Sequence, residues 1–119
     1  MFDASALLAF LRGEAGGEVV QRSLLDGGRI SAANWSEVAQ KVAADPTTWP
    51  IAHDVLLSFD LTVEPVTRED AEAAAALWPT ASQLSLADRL CLALGTRLDA
   101  DVITADRAWS DRPRVTLIR

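Results

Sequence analysis

The stretch that decides the fold covers residues 85–106 and reads SLADRLCLALGTRLDADVITAD. In its first part a leucine recurs every four residues from Leu86 to Leu98, which predicts an amphipathic helix that begins at Ser85. The segment 101–104, with the β-branched residues Val102 and Ile103 at its centre, then predicts a short strand. A helix that leads directly into a short apolar strand is typical of the units that build a parallel sheet, so this stretch indicates an α/β protein.

The same alternation of helices and strands continues on both sides of this stretch. Further helices are predicted at 4–12, 18–25, 34–44, 49–58 and 67–78. Further strands are predicted at 2–3, 29–31, 61–65 and 115–118. Together the elements predict one domain over residues 1–119, built around a parallel, doubly wound sheet.

Composition narrows the class of protein further. The chain has 119 residues, of which 50% are hydrophobic, and this is enough for one compact domain with a core. Its formal net charge of −6 argues against a general nucleic-acid binder but still permits an enzyme that contacts a few phosphates. No apolar run approaches the roughly 20 residues of a membrane span, and the start lacks a secretory signal. We therefore expect a cytoplasmic protein with no membrane segment, in which Cys91 is a buried small hydrophobe.

Four acidic residues lie where a predicted strand ends or a predicted helix begins, and they are Asp3, Glu37, Asp88 and Asp106. In a parallel sheet the strand ends and the starts of the connecting helices lie at the same edge, so we expect the four side chains to converge. Each of them taken alone is also explained as a helix cap, with 34–37 and 85–88 resembling capping boxes.

Convergence of four carboxylates has an electrostatic consequence. Two unit charges about 5 Å apart repel by about 3 kcal/mol at an effective dielectric constant of about 20, and a bound cation relieves that repulsion. Oxygen ligands without His or Cys favour Mg²⁺ or Mn²⁺. The hydroxyl groups of Ser5 and Thr104 are close enough in sequence to Asp3 and Asp106 to orient the carboxylates. The set predicts metal-dependent phosphodiester hydrolysis, with Arg89 and Arg107 as candidate phosphate contacts.

Four motifs resemble those of the PIN domain, particularly the VapC-type toxins of prokaryotic toxin–antitoxin pairs. They are DASALLA at 3–9, SAANWSEV at 31–38, LSLADRLCLALG at 84–95 and VITAD at 102–106. The resemblance covers nearly the whole chain in order. It implies a five-stranded parallel sheet flanked by helices, in which the first strand is shortened because only Met1 and Phe2 precede Asp3.

The resemblance also implies an activity and partners. Asp3, Glu37, Asp88 and Asp106 match the acidic positions of the family, and Thr104 matches its supporting hydroxyl. The implied activity is Mg²⁺- or Mn²⁺-dependent endonucleolytic cleavage of RNA by a homodimer, restrained by a VapB-like antitoxin. A short first strand would place the N-terminal ammonium close to the acids.

Two other functions fit part of the same pattern. A phosphate-accepting receiver domain has a similar length and an acidic pocket, but it needs an adjacent acidic pair where this chain has Asp3 and Ala4. A PIN-like domain that has lost hydrolysis and binds only RNA or a protein is the more serious alternative, and the intact acids argue against it. Among the tryptophans, Trp109 is the best candidate to line a substrate groove because it follows Asp106 closely.

Overall fold

The computed structural model describes all 119 residues, from Met1 to Arg119. Every predicted helix and all but the first predicted strand are present, with boundaries within two residues of those expected. The helices are α1 (Ala4–Leu11), α2 (Gly17–Leu25), α3 (Ala32–Val42), α4 (Trp49–Leu57), α5 (Arg68–Ala76) and α6 (Leu86–Arg97). The strands are β1 (Gly28–Ser31), β2 (Leu61–Glu64), β3 (Val102–Thr104) and β4 (Val115–Leu117). The α/β class is confirmed, and no helix is both long and apolar enough to cross a membrane.

The strands form two parallel pairs that are joined through Phe2. Strand β1 pairs with β2, and β3 pairs with β4. Phe2 forms single parallel bridges to Ile30 of β1 and to Ile103 of β3, so it lies between the two pairs. The residue directly after Phe2 is Asp3, which is thereby placed at the centre of the edge where the strands end.

Of the five-stranded parallel sheet with a shortened first strand that the family resemblance implies, the structure shows four regular strands in two parallel pairs. The expected first strand is reduced to the single bridging residue Phe2. Asp3 already serves as the N-cap of α1, so the chain enters a helix directly after Phe2. What remains of this strand is held by hydrogen bonds from Phe2 N to Arg29 O (2.8 Å) and from Ile103 N to Met1 O (2.8 Å).

Two groups of apolar side chains form most of the core. The larger group contains Phe2, Leu7, Leu24, Ile30 and Leu56. A second group contains Cys91, Leu94, Val102 and Trp109. The prediction that Cys91 is a buried hydrophobe is confirmed.

The prediction that Trp109 lines a groove is wrong, because its side chain is 0% exposed and packs in the second apolar group. Its indole Nε1 has no hydrogen-bond partner. The short 3-10 helix Arg107–Trp109 follows the exposed Asp106 and directs the indole ring into the core.

Helices α5 and α6 pack antiparallel to each other and are tied by a two-point ion pair. Arg97 at the end of α6 donates to both carboxylate oxygens of Asp70 in the first turn of α5, at 2.8 and 3.1 Å. Asp70 is only 2% exposed and also accepts the backbone N–H of Thr67 as part of a capping box. The Arg97 guanidinium holds the pKa of Asp70 below its usual range.

We expect Asp70→Ala to destabilise the fold clearly, because the change removes both hydrogen bonds to Arg97 and the bond to Thr67. Since the folded-state pKa of Asp70 is lowered, its contribution is present above the ordinary aspartate range and is lost as the pH falls. Urea unfolding at pH 7 and at pH 3 measures both effects. The control is Arg68→Ala, which removes an exposed pair with Glu72 and is expected to change the midpoint little; equal shifts for the two variants would contradict this role.

Candidate active site

Three of the four acids predicted from the sequence lie where a strand ends or a connecting helix begins, and the fourth lies in the second turn of its helix. Asp3 follows Phe2, and Asp106 follows β3. Glu37 lies in the second turn of α3, and Asp88 lies in the first turn of α6. We call these four residues the acidic edge. Their backbone positions follow from parallel connections, in which helices that return along the sheet begin at the edge where the strands end.

Asp3 is the most enclosed member of the acidic edge, at 2% exposed. The Ser5 hydroxyl donates to both of its carboxylate oxygens, at 2.8 and 2.9 Å. The Thr104 hydroxyl donates to Oδ2, and the backbone N–H of Ala6 donates to Oδ1 at 2.9 Å. These bonds fix the orientation of a carboxylate that solvent hardly reaches.

Both hydroxyl groups are themselves held by backbone amides that follow strand β3. The N–H of Ala105 donates to Ser5 Oγ at 2.9 Å, and the N–H of Asp106 donates to Thr104 Oγ1 at 3.0 Å. The network therefore joins the start of the chain to the segment that carries Asp106. Through it, the positions of Asp3 and Asp106 depend on each other.

The pKa of Asp3 is raised to about 6. Burial is the largest cause, because it disfavours the charged form, and the negative charge of Asp88 adds to it. The hydrogen bonds from Thr104, Ala6 and Ser5 oppose the rise but do not cancel it. An acid whose charged form is this disfavoured gains from a cation bound nearby.

Glu37 is not a helix cap, and in this respect the sequence prediction is wrong. Helix α3 begins at Ala32, and its cap is Ser31, whose hydroxyl accepts the N–H of Asn34 at 3.1 Å. The cap residue lies at the end of β1, so the helix starts directly from the strand and Glu37 falls in the second turn. The helix-cap explanation therefore no longer accounts for this acid.

Asn34 is a buried residue of the site that the sequence did not single out. It is 0% exposed, and its amide Nδ2 lies 3.5 Å from Oε1 of Glu37. Its Oδ1 accepts the hydroxyl of Ser31 at 3.1 Å, which sets the orientation of the amide group. The available signal was the spacing of three residues between Asn34 and Glu37, which places both on one helix face.

The remaining two acids combine helix capping with a free oxygen. Asp88 accepts the N–H of Ser85 on Oδ2, at 3.3 Å, so the predicted capping box is confirmed. Asp106 accepts the N–H of Ala108 on Oδ1, at 2.9 Å. The second oxygen of each carboxylate accepts no hydrogen bond within the chain, so capping and ligand binding are compatible at both positions.

Electrostatic coupling joins the members of the acidic edge. Burial is the first cause that raises the pKa of Glu37, and the charges of Asp88 and Asp3 raise it further. The pKa of Asp88 is also raised, first by burial and then, against its capping bonds, by the charge of Asp106. Each acid is thus close enough to at least one other for their charges to repel.

The four acidic side chains do not converge as the sequence predicts, because no group of three or more acidic, His or Cys side chains lies close enough together to hold a metal ion. The types of donor atom nevertheless suit a hard divalent cation. All candidate ligands are carboxylate oxygens, the type that Mg²⁺ and Mn²⁺ prefer. Asp88 and Asp106 retain one unbonded oxygen each. Binding a cation would draw the side chains together by rotation, which the exposed or half-buried positions of Glu37, Asp88 and Asp106 allow.

The two arginines predicted to contact phosphate differ in their surroundings. Arg89 turns towards α5, where Nη1 donates to the carbonyl of Ala74 at 3.0 Å and the guanidinium carbon lies 5.0 Å from the ring centre of Trp78. Its Nε is buried without a partner. This placement indicates a packing role for Arg89. Arg107 is exposed beside Asp106 and has no ion-pair partner in the chain.

The N-terminal amino group does not lie close to the acids, contrary to expectation. Met1 lines a small cavity with Gly28, Arg29 and Ala100, at the edge where β1 and β3 begin. Burial is the main cause that lowers the pKa of the amino group. Its charge is therefore at the opposite edge of the sheet from Asp106.

The fold and the order of these residues place the chain in a known class. The PIN domain family matches residues 1–115, and the chain belongs to this family. The resemblance inferred from the four motifs is thereby confirmed. No curated protein matches the chain at a significant level.

Two solved structures are similar in fold. One is described as a toxin-antitoxin complex from Klebsiella pneumoniae; it has a TM-score of 0.83 and 20% identity, with 99% of this chain and 96% of that chain covered. The other is VapBC2 from Rickettsia felis bound to a DNA fragment from their promoter; it has a TM-score of 0.76 and 15% identity, with 98% and 95% covered. At these identities the likeness shows the fold.

Proposed function

We propose that this protein is a Mg²⁺- or Mn²⁺-dependent endoribonuclease and the toxin of a VapBC-type toxin–antitoxin pair. The observation that carries the proposal is the acidic edge, in which the buried Asp3 is held by two hydroxyl groups and is coupled electrostatically to Asp88. The PIN family match and the fold of the two toxin–antitoxin structures support the same class.

The surroundings of the side chains support the roles that we propose for them. Asp3, Glu37, Asp88 and Asp106 hold the cation, with Ser5 and Thr104 fixing the carboxylate of Asp3. A divalent cation bound there supplies charge neutralisation at the scissile phosphate and lowers the pKa of an adjacent water. Asn34 orients Glu37, which is half-buried and would accept a proton from the attacking water. Arg107 contacts a phosphate of the substrate.

We expect the purified protein to cleave RNA in the presence of Mg²⁺ or Mn²⁺, and we expect EDTA to stop this cleavage. Asp88→Asn should lower the activity by at least about a hundredfold, because even residues that only support metal ligands change metal affinity or activity by about 10- to 100-fold when mutated. The asparagine keeps an oxygen that can accept the N–H of Ser85, so the helix cap and the fold are retained. Cleavage of a labelled RNA, with divalent-ion affinity measured in parallel, tests both effects.

The matched control is Asp26→Asn, which removes the same charge at an exposed position after α2. Its activity should equal that of the wild type. Full cleavage and unchanged metal affinity in Asp88→Asn would contradict the proposed mechanism. If RNA association survives both EDTA and Asp88→Asn while no cleavage is seen under any condition, the protein is instead a PIN domain that only binds RNA.

The proposal includes a VapB-like antitoxin and a homodimer as partners. It is supported by the description of the two similar structures as toxin–antitoxin assemblies. Co-purification with the product of a small open reading frame beside this one tests the first partner. The mass of the purified toxin in solution tests the second.

A further inference from the structure

We propose that Lys41 binds a phosphate of the RNA strand beside the acidic edge and that, with Arg107 on the other side, it sets the path of the strand across the site. This inference rests on the proposed ribonuclease function. It assigns a substrate contact to the lone lysine of the chain, which lies in α3.

A protein with a net negative charge needs basic side chains without ion-pair partners on the surface that RNA approaches. The net charge is −6, and the acidic edge itself repels phosphates wherever a metal ion does not neutralise it. Most basic side chains of the chain are already engaged in ion pairs or in bonds to backbone carbonyls. The engaged residues are Arg29, Arg68, Arg89, Arg97, Arg112, Arg114 and Arg119.

Four basic residues have no such partner, namely Arg12, Arg22, Lys41 and Arg107. Of these, Lys41 lies four residues after Glu37 on α3, so the two side chains share one face of the helix about one turn apart. Lys41 is exposed and makes no ion pair with Glu37 or any other acid. Its ammonium is therefore available to a ligand, next to a member of the acidic edge.

Helix α3, which carries Glu37 and Lys41, also packs against α6, whose first turn carries Asp88. Lys41 therefore lies on a helix that carries one acid and contacts the helix of another, and it forms an ion pair with neither. If Lys41 served only to neutralise Glu37, it would form an ion pair with that residue. Because it forms none, all three N–H donors of its ammonium group can bind a phosphate.

Lys41 and Arg107 lie on different sides of the acidic edge. Lys41 is carried by α3, which follows β1, and Arg107 follows Asp106 after β3. Phe2 lies between these two strands, and Asp3 comes directly after it. We therefore expect an RNA strand that contacts both Lys41 and Arg107 to cross the acidic edge from the side of β1 to the side of β3.

The salt dependence of cleavage tests this arrangement. A single-stranded RNA contact releases counterions, so log(kcat/KM) falls with log[KCl] by about 0.7 for each phosphate contact. At saturating Mn²⁺ we expect Lys41→Gln to reduce the slope by about 0.7 and the double variant Lys41→Gln/Arg107→Gln to reduce it by about 1.4. Lys41→Arg should restore the wild-type slope. Arg22→Gln on α2 is the matched control and should leave the slope unchanged.

The outcomes separate this inference from the function on which it rests. If the wild type neither cleaves nor binds RNA, both are wrong. If it cleaves but Lys41→Gln has the slope of Arg22→Gln, only the role of Lys41 is wrong. If Lys41→Gln changed the Mn²⁺ concentration needed for activity but not the salt slope, the proposed role of Lys41 would also be wrong, since Lys41 would then act only on the acids. The proposal would also be overturned if Lys41→Gln lost antitoxin binding while its salt slope stayed unchanged, because Lys41 would then contact a protein partner.

Discussion

Asp3→Asn is expected to make the metal-free protein more stable and at the same time inactive. The folded-state pKa of Asp3, about 6, is higher than its ordinary value of 3.8. The folded protein therefore binds this proton more tightly than the unfolded chain does, and the charged form destabilises the fold at higher pH. A shift of about 2 pKa units corresponds to about 3 kcal/mol, so we expect a gain in unfolding free energy of about 2–3 kcal/mol at pH 8.

The sign of the pH dependence is specific. The wild-type protein in EDTA should gain stability as the pH falls from about 6 to about 4, while Asp3→Asn should show no such gain from this site. The two proteins should become equal in stability once Asp3 is protonated in both the folded and unfolded states. The Asn amide can donate to the hydroxyl of Ser5 or Thr104, since either can turn to accept, so the local network is retained.

Urea unfolding in EDTA at several pH values measures the stability, and RNA cleavage with Mn²⁺ measures the activity. We expect cleavage to fall at least about a hundredfold, because the variant lacks a proposed ligand. Asp26→Asn is again the control and should change neither property. An Asp3→Asn protein that is no more stable than the wild type at pH 8 would contradict the burial argument. An active variant would contradict the proposed role of Asp3.

The second large effect concerns Phe2, the residue that joins the two strand pairs. Its side chain is 1% exposed and belongs to the larger apolar group. We expect Phe2→Ala to lower the free energy of unfolding by about 3–5 kcal/mol, through lost burial and the cavity left behind. Leu25→Ala, at a position that is 70% exposed, should change it by less than about 0.5 kcal/mol. Equal effects would show that Phe2 is not central to the core.

A double-mutant cycle with Gly28 sharpens this test. A Cβ added at Gly28 would lie 2.3 Å from Cε2 of Phe2, so the aromatic ring leaves no room for a side chain at the first residue of β1. Gly28 does not have a positive φ, so an alanine at this position is disfavoured by steric clash and not by the backbone conformation. Gly28→Ala should be severe in the wild type and much milder in Phe2→Ala, as unfolding in urea would show. Additive effects would contradict direct contact between the two positions.

Much of the fold and of the candidate site could be predicted because it depends on local signals. The leucine spacing and the cap at Ser85 predicted α6 within one residue at either end. The strand–helix alternation put Asp3, Glu37, Asp88 and Asp106 near strand ends. Where local signals compete, the prediction was less accurate: Asn34 is a good cap residue, but Ser31, at the end of β1, caps α3 instead.

Residue environments could not be predicted in the same way. Arg89 and Trp109 both follow an acid closely in sequence, yet one packs on Trp78 and the other is buried in the core. The link between Asn34 and Glu37 required knowing that both lie on the inner side of α3. For Arg89 and Trp109 the deciding contacts come from elements that are distant along the chain, whereas the contact between Asn34 and Glu37 is local to α3.

The sequence by itself determined the α/β class, the order of the elements and the choice of four acids, since periodicity and capping act over a few residues. Only the tertiary structure decided how the acids are held. Ser5 and Thr104 meet at Asp3 from opposite ends of the chain, and the burial that results raises its pKa. Desolvation and long-range hydrogen bonds exist only after the strands have paired, and they are what distinguish a row of helix caps from a candidate metal site.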